Sequence, residues 1–316
     1  MKKMISMILV AAMLISVCCA FTACSGDDGA NTADDGTYTV GICQLMVHDS
    51  LDQATKGFTD ALTAEMKAAG KTVTFDTQVA GDSNLCATVI NTFTAKKVNL
   101  IMANATPALL AAANATTSIP VLGTSVTDYN DTFKNNIPTN VSGTSDAVPF
   151  DEQAQMMIDT LGLVAGDKVG ILYCLNESNS LVQYEAVKAL FEAAGIVAEP
   201  YTFSETTELQ ALVTSMAANV KAVYVPSDNT VAQNDSIVGT ICTEQKVPVY
   251  TSYGGAICYA SLSIDYYELG AATGKMAADI LLNGKAPADI DIATLTPSYS
   301  YNEELCAQLG IAVPQN

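Results

Sequence analysis

Thr106 and Asp228 each stand just past an apolar, strand-like run, Val98–Ala103 and Val220–Val225, and fall opposite one another when those runs are aligned. Thr106 followed by Pro107 suits a helix start, with the threonine as N-cap and the proline as first helical residue. The backbone N–H groups freed near Ala108 and Leu109 then suit a carboxylate, although an ordinary cap with nothing bound fits the same spacing. Asp228, within Ser227-Asp228-Asn229-Thr230, either balances a ligand ammonium or caps its own helix. Working together, the two positions would read a zwitterion by the sign of charge at each end.

Other polar segments also follow apolar runs. Gln44 through His48 leaves the first such run, and Asn176-Glu177-Ser178-Asn179-Ser180 leaves its later counterpart. Ser125-Val126-Thr127-Asp128 and Thr251-Ser252-Tyr253-Gly254-Gly255 leave another matching pair. Ser142-Gly143-Thr144-Ser145-Asp146 and Ser263-Ile264-Asp265-Tyr266 read as crossings between two halves. Tyr129, Phe150 and Tyr253 are candidate aromatic walls, with simple packing as the alternative.

Catalytic and metal chemistry find little support. His48 is the only histidine, so any Ser-His-Asp or Cys-His system must use it, and no G-x-S-x-G elbow is present. Neither a Walker A segment nor G-x-G-x-x-G occurs. Carboxylates are abundant, yet no pair is marked as poised for glycosidase chemistry. Of nine cysteines, Cys43, Cys86, Cys174, Cys242, Cys258 and Cys306 are scattered, with no C-x-x-C pair and no neighbouring histidine. That pattern opposes a zinc site and favours free buried thiols. The expectation is a binding protein, not an enzyme, with no cofactor and no metal.

The elements that position these residues come twice. From Tyr38 onward, short β-rich runs alternate with helical spacing, as in Leu51, Ala54, Phe58, Leu62, Met66 and Ala69 before Gly70. Val169-Gly170-Ile171 repeats Val40-Gly41-Ile42, Val220 repeats Val98, and Val247-Pro248-Val249 repeats Ile119-Pro120-Val121, at offsets of 129, 122 and 128 residues. Three landmarks in one order point to a duplicated half. Strands alternating with helices predict an α/β fold of two similar Rossmann-like lobes, each a parallel sheet covered on both faces. Ligands sit beyond the carboxyl ends of such strands, so two facing lobes make one cleft that closes by hinge motion. The expected boundaries are 38–143 plus about 264–288 for lobe 1, and 144–263 plus about 289–316 for lobe 2.

The N-terminus carries Lys2 and Lys3, an apolar run from Met4 to Ala20, and small residues before Cys24. This is the layout of a secretory signal over residues 1–23. Phe21-Thr22-Ala23-Cys24 is similar to a bacterial lipobox, with Phe21 where leucine is usual, so Cys24 is the expected lipidation site. Residues 24–37, rich in Gly and Asp, read as a flexible tether spanning about 20 Å on average. The chain has 33 acidic against 14 basic residues and a net charge of −19, which loss of Lys2 and Lys3 takes to −21. Such a charge repels phosphate backbones and anionic lipid, so nucleic acid is not an expected partner, and membrane contact is expected through the lipid anchor alone.

Gly81-Asp82-Ser83-Asn84-Leu85, Ala105-Thr106-Pro107-Ala108, Val126-Thr127-Asp128, Ser145-Asp146-Ala147-Val148-Pro149, Val225-Pro226-Ser227-Asp228-Asn229-Thr230 and Ile264-Asp265-Tyr266-Tyr267-Glu268-Leu269-Gly270 together resemble one family. It is the ABC-transporter substrate-binding family typified by tryptophan- and tyrosine-binding lipoproteins, with the type I periplasmic-binding fold. The resemblance runs from about Val40 to Pro287. It implies two lobes joined by three crossings, an amino acid in the cleft, an ABC permease with its ATPase as partners, and a monomer anchored outside the membrane. It implies Thr106, Thr127, Asp128, Ser145, Asp146, Ser178, Asn179, Asp228, Asn229 and Asp265 as ligand contacts; His48 and Tyr253 join them from their strand-end positions. Around His48 the family's H-P-x-L-D carries Asp49-Ser50 in place of the proline and its follower, and the loop from Tyr253 to Cys258 also departs from the family. Both loops are placed to shape a side-chain pocket. A sugar, nucleoside or peptide fragment is the alternative ligand.

Overall fold

Leu100 and Met102 bury into one core while Ile101 and Ala103 bury into another. A strand apolar on both faces must be covered on both, as parallel sheets are. The computed structural model describes residues 36–314; the expected signal segment, Cys24 and all but the end of the tether lie outside the described residues. The chain runs through β1 (Thr37–Gln44), α1 (Asp49–Ala68), β2 (Thr72–Val79), a 3-10 turn (Ser83–Leu85) into α2 (Cys86–Lys96), β3 (Leu100–Asn104), α3 (Thr106–Ala115), β4 (Val121–Val126), α4 (Tyr129–Thr132) and β5 (Val141–Ser145). After α5 (Phe150–Leu161) the order returns as β6 (Lys168–Cys174), α6 (Ser178–Ala193), β7 (Val197–Phe203), α7 (Thr206–Ala217), β8 (Ala222–Val225), α8 (Asn229–Gln233), α9 (Asp235–Glu244) and β9 (Val249–Thr251). Then come β10 (Ala260–Ser263), α10 (Tyr266–Asn283), β11 (Ala293–Thr294), β12 (Ser298–Tyr301) and α11 (Glu303–Leu309).

Two parallel sheets result, ordered β11-β5-β4-β3-β1-β2 and β7-β6-β8-β9, with a separate antiparallel pair β10-β12. The register repeats the duplication, since Val40 pairs with Leu100 and Val169 with Ala222. Helices cover both faces of each sheet. In lobe 1, Phe58, Leu62 and Met66 of α1 and Met276 and Ile280 of α10 fill one side, and Val89, Ile90, Phe93 and Leu109 fill the other. In lobe 2, Val187 and Phe191 pack against Ile171 and Tyr224, while Val213, Met216 and Val238 pack against Leu172 and Val223. Each such fully buried side chain contributes about 2 kcal/mol of transfer free energy.

α10 follows β10 of the second lobe in sequence yet belongs to the first. It lies on α1 at backbone distance: a methyl group on Gly270 would stand 1.9 Å from the Ala54 carbonyl oxygen, and one on Gly57 1.9 Å from that of Tyr267. The chain thus crosses between lobes after Ser145, between Ser263 and Tyr266, and between Thr294 and Ser298. Relative to the expected boundaries, the first sheet keeps β5 through Ser145 and takes in Ala293–Thr294, because both pair in its ladder. β1 begins at Thr37, at the end of the expected tether. Among the described residues, all six cysteines are free and buried, and no helix is long and apolar enough to cross a membrane.

Candidate ligand-binding cleft

In both sheets the strand order reverses beside the first strand, β1 next to β3 and β6 next to β8. The carboxyl ends at that reversal are where doubly wound sheets place ligands. On the first lobe the ladder between β4 and β5 slips between Gly123 and Val126. Gly143, at φ +145°, makes room for the slip, since a Cβ there would lie 2.0 Å from the Gly123 carbonyl oxygen. The bulge leaves Ser125 at φ +55°, a conformation costing a non-glycine residue about 1–3 kcal/mol. Its hydroxyl is buried without a partner.

Directly after β5 comes Asp146, 6% exposed. Tyr266, in the first turn of α10, donates its hydroxyl to Asp146 Oδ2 at 3.0 Å, and Oδ1 is buried with no partner. Burial pushes the Asp146 carboxyl up, and the Tyr266 bond and the neighbouring Thr127 side chain only partly offset this. A buried charge with one free oxygen is costly unless a cation or donor completes it.

The second lobe is arranged differently. Asp228 caps α8 by accepting from Val231 N at 2.9 Å, and its other oxygen accepts from Cys174 N at 2.7 Å and the Ser180 hydroxyl at 2.8 Å. Glu177 accepts from Asn229 N and Nδ2 at 2.9 and 2.6 Å, and from Thr230 N and Oγ1 at 2.7 Å each. Two buried carboxylates therefore saturate the first turn of α8. Desolvation and the Glu177 charge push Asp228 well above the ordinary carboxyl value. The two buried aspartates thus do different work: Asp228 is built into its own lobe, whereas Asp146 has an open valence.

Two adjoining cavities lie between the lobes. The inner one is narrow, about 10 Å³ in volume, and is lined by Leu51 and Ser125 of lobe 1, Asp146 and Tyr266 at the crossings, and Ser227, Asp228, Asn229 and Tyr253 of lobe 2. The outer one, about 350 Å³ and open to solvent, adds Asp49, Gln53, Asp235, Asp265 and Tyr267; His48, Ser50, Ala232, Tyr253 and Tyr266 border both. The Tyr253 hydroxyl is a third buried polar group with no partner. Side chains also meet across the cleft. His48 Nε2 lies 3.2 Å from Asn229 Oδ1, and Gln183 Nε2 donates to Thr127 Oγ1 at 3.2 Å. Burial lowers the His48 pKa, against the raising effect of Asn229 and of the nearby carboxylates Glu177, Asp52 and Asp235.

Of the residues singled out in the sequence, His48, Asp146, Asp228, Asn229, Tyr253 and Asp265 line these cavities. Thr127 and Ser145 stand behind them: the Ser145 hydroxyl donates to the Thr127 carbonyl at 2.8 Å. Asn179 is buried and donates to Ser227 O at 2.7 Å. Asp128 caps α4 and is exposed, as is Ser178. Thr106 is buried as the first residue of α3, and the N-cap position expected for it falls to Ala105, whose φ of +90° turns the chain one residue earlier. Tyr129 and Phe150 pack in lobe cores. Ser50, from the departure beside His48, borders both cavities; Gln183 and Asp235 were not singled out, since they lie on helices, where no strand-end rule points to them.

A family model described as ABC transporter substrate binding protein matches residues 39–316. The chain is 31% identical over 309 residues to the tyrosine-binding protein of Clostridioides difficile, covering 93% of this chain and 88% of that one. It superposes with a TM-score of 0.81 and 32% identity on a Streptococcus pneumonia ABC domain solved in complex with L-Trp, over 88% of this chain and 96% of the other. Against the ligand-free, open structure of a Clostridium difficile substrate-binding protein with adhesive properties, the TM-score is 0.66 at 33% identity, over 88% and 97% of the two chains. At nearly equal identity the better fit is to the ligand-bound protein, in keeping with side chains that already meet across the cleft.

Proposed function

This chain belongs to the family of ABC transporter substrate-binding proteins, and we propose that it captures an aromatic amino acid between its lobes and delivers it to a membrane permease and its ATPase. The observation that carries this reading is the set of unpartnered buried groups around one interlobe cavity: Ser125 Oγ, Asp146 Oδ1 and Tyr253 OH. Buried polar groups without partners are costly, so their convergence marks a place where a polar ligand completes them. Asp146 supplies the counter-charge for an ammonium. The Ser125 hydroxyl suits a carboxylate oxygen, and Tyr253 and Tyr266 offer aromatic walls for a flat side chain. Relatives whose names or structures carry tyrosine and tryptophan support the aromatic class.

Members of this family work outside the cytoplasm. The lipobox-like Phe21-Thr22-Ala23-Cys24 supports a lipid anchor on Cys24, with the body a monomer held just off the outer face of the membrane. The test is thermal unfolding of the soluble body with a panel of amino acids, sugars and nucleosides. A ligand at a hundredfold excess over its Kd stabilises by about 2.7 kcal/mol. Upward shifts confined to aromatic amino acids are expected; a flat amino-acid panel beside a shift with a sugar or nucleoside contradicts the proposal.

A further inference from the structure

The outer cavity differs in chemistry from the inner one. Its walls include Tyr253, Tyr266, Tyr267, Ile264 and Ala232, and a carboxylate, Asp235, stands among them in the first turn of α9. Asp49 and Asp265 also face this space, but both are exposed, so water satisfies and screens them. Asp235 is half-buried and lies near His48 of the opposite lobe, and burial pushes its carboxyl up while the His48 side chain draws it down. Its carboxylate accepts from the neighbouring Ser236 backbone. The buried, unpartnered Tyr253 hydroxyl belongs to a residue that borders both cavities, with Asp235 on one and Asp228 on the other.

A ligand whose ammonium reaches Asp146 at the narrow inner cavity has the roomier aromatic chamber beside it for its side chain. We infer that Asp235 is the specificity-determining residue of the cleft, accepting a hydrogen bond from a donor at the far end of an aromatic side chain, a phenol O–H or an indole N–H. The inference rests on the aromatic amino-acid reading above. An unsubstituted benzyl side chain would cover the Asp235 carboxylate and displace its water without returning a donor. Sites built to hydrogen-bond a hydroxyl reject the analogue that lacks it, because the acceptor is left unpaired. The chamber is open on one side, so the discrimination expected here is about ten- to hundredfold, below that of a sealed pocket.

The experiment is calorimetric titration of the unmodified protein and of Asp235→Ala with L-tyrosine, L-phenylalanine and O-methyl-L-tyrosine. Expected is tyrosine binding about ten- to hundredfold tighter than either analogue, with this ratio collapsing toward one in Asp235→Ala. The ligand series on the unmodified protein stands even if the variant fails to fold. Equal affinity for all three ligands, or a ratio that persists in Asp235→Ala, would each overturn the inference. Both results leave the aromatic amino-acid reading standing. Failure of every amino acid to bind sinks that reading and this inference together.

Discussion

The Tyr266 hydroxyl holds one oxygen of the Asp146 carboxylate at 3.0 Å and leaves the other without a partner. Both residues stand where the chain passes between lobes, Asp146 directly after β5 and Tyr266 at the start of α10. α10 is fixed to lobe 1 by its glycine contacts with α1. An ammonium that completes Asp146 is therefore tied to the crossings that join the lobes, and to the lobe that carries Ser125.

Asp146→Asn keeps the shape of the side chain and removes its charge. Affinity for L-tyrosine or L-tryptophan is expected to fall about ten- to hundredfold, the value of one hydrogen bond to a charged group. The ligand-free protein should melt no lower than the unmodified one, because a buried amide carries a smaller desolvation cost than a buried carboxylate. Calorimetry and thermal melts check both halves, and an affinity within twofold of the unmodified protein removes Asp146 from the site.

The same carboxylate makes binding depend on pH. Burial raises the Asp146 pKa above the ordinary 3.8, and a bound ammonium would lower it. Between the bound and free values, binding releases a proton, so affinity rises with pH through that window and levels off above it. For the ligand-free fold the sign is opposite: a folded pKa above the unfolded one gives stability that is present at low pH and lost as pH rises through the folded value. Titrations from acid to neutral pH should show the rise in the unmodified protein and a flatter profile in Asp146→Asn. Identical profiles would contradict it.

Asp228 is expected to matter to the fold as much as to the ligand. Asp228→Ala removes the α8 cap and strands the Cys174 N–H and the Ser180 hydroxyl. The loss of stability is expected at about 2–4 kcal/mol. Denaturant unfolding of the ligand-free protein measures it, and a midpoint equal to that of the unmodified protein would show that the three bonds contribute nothing net.

Much of this architecture was legible because it is periodic. Val40, Val98 and Ile119 and their later counterparts announced strands at near-constant offsets, and duplication fixed which strand ends face the cleft. The lobe boundaries were harder: Ala293–Thr294 has no apolar pattern of its own and joins lobe 1 only through pairing with Thr144 and Ser145. At the site, alignment made Thr106 and Asp228 look equivalent. The difference arises from Glu177, which comes from another loop to saturate α8, and from the bulge at Ser125, which depends on Gly123 and Gly143 meeting across two strands. Interactions of that kind join residues far apart in sequence and leave no local spacing to read.

The proposed anchor predicts that Cys24→Ser abolishes incorporation of a fatty-acid probe into the protein in growing cells and releases the body to the medium. Continued labelling of the variant would place any lipid elsewhere.

Calorimetric titration of the soluble body with L-tryptophan and with N-acetyl-L-tryptophan isolates the charged head group, since acetylation deletes the ammonium and keeps the ring and carboxylate. If Asp146 Oδ1 awaits a cation in the closed cleft, the free amino acid binds and the acetylated one loses at least about a hundredfold in affinity. Comparable affinity for the two would mean that the cleft does not read an ammonium at all.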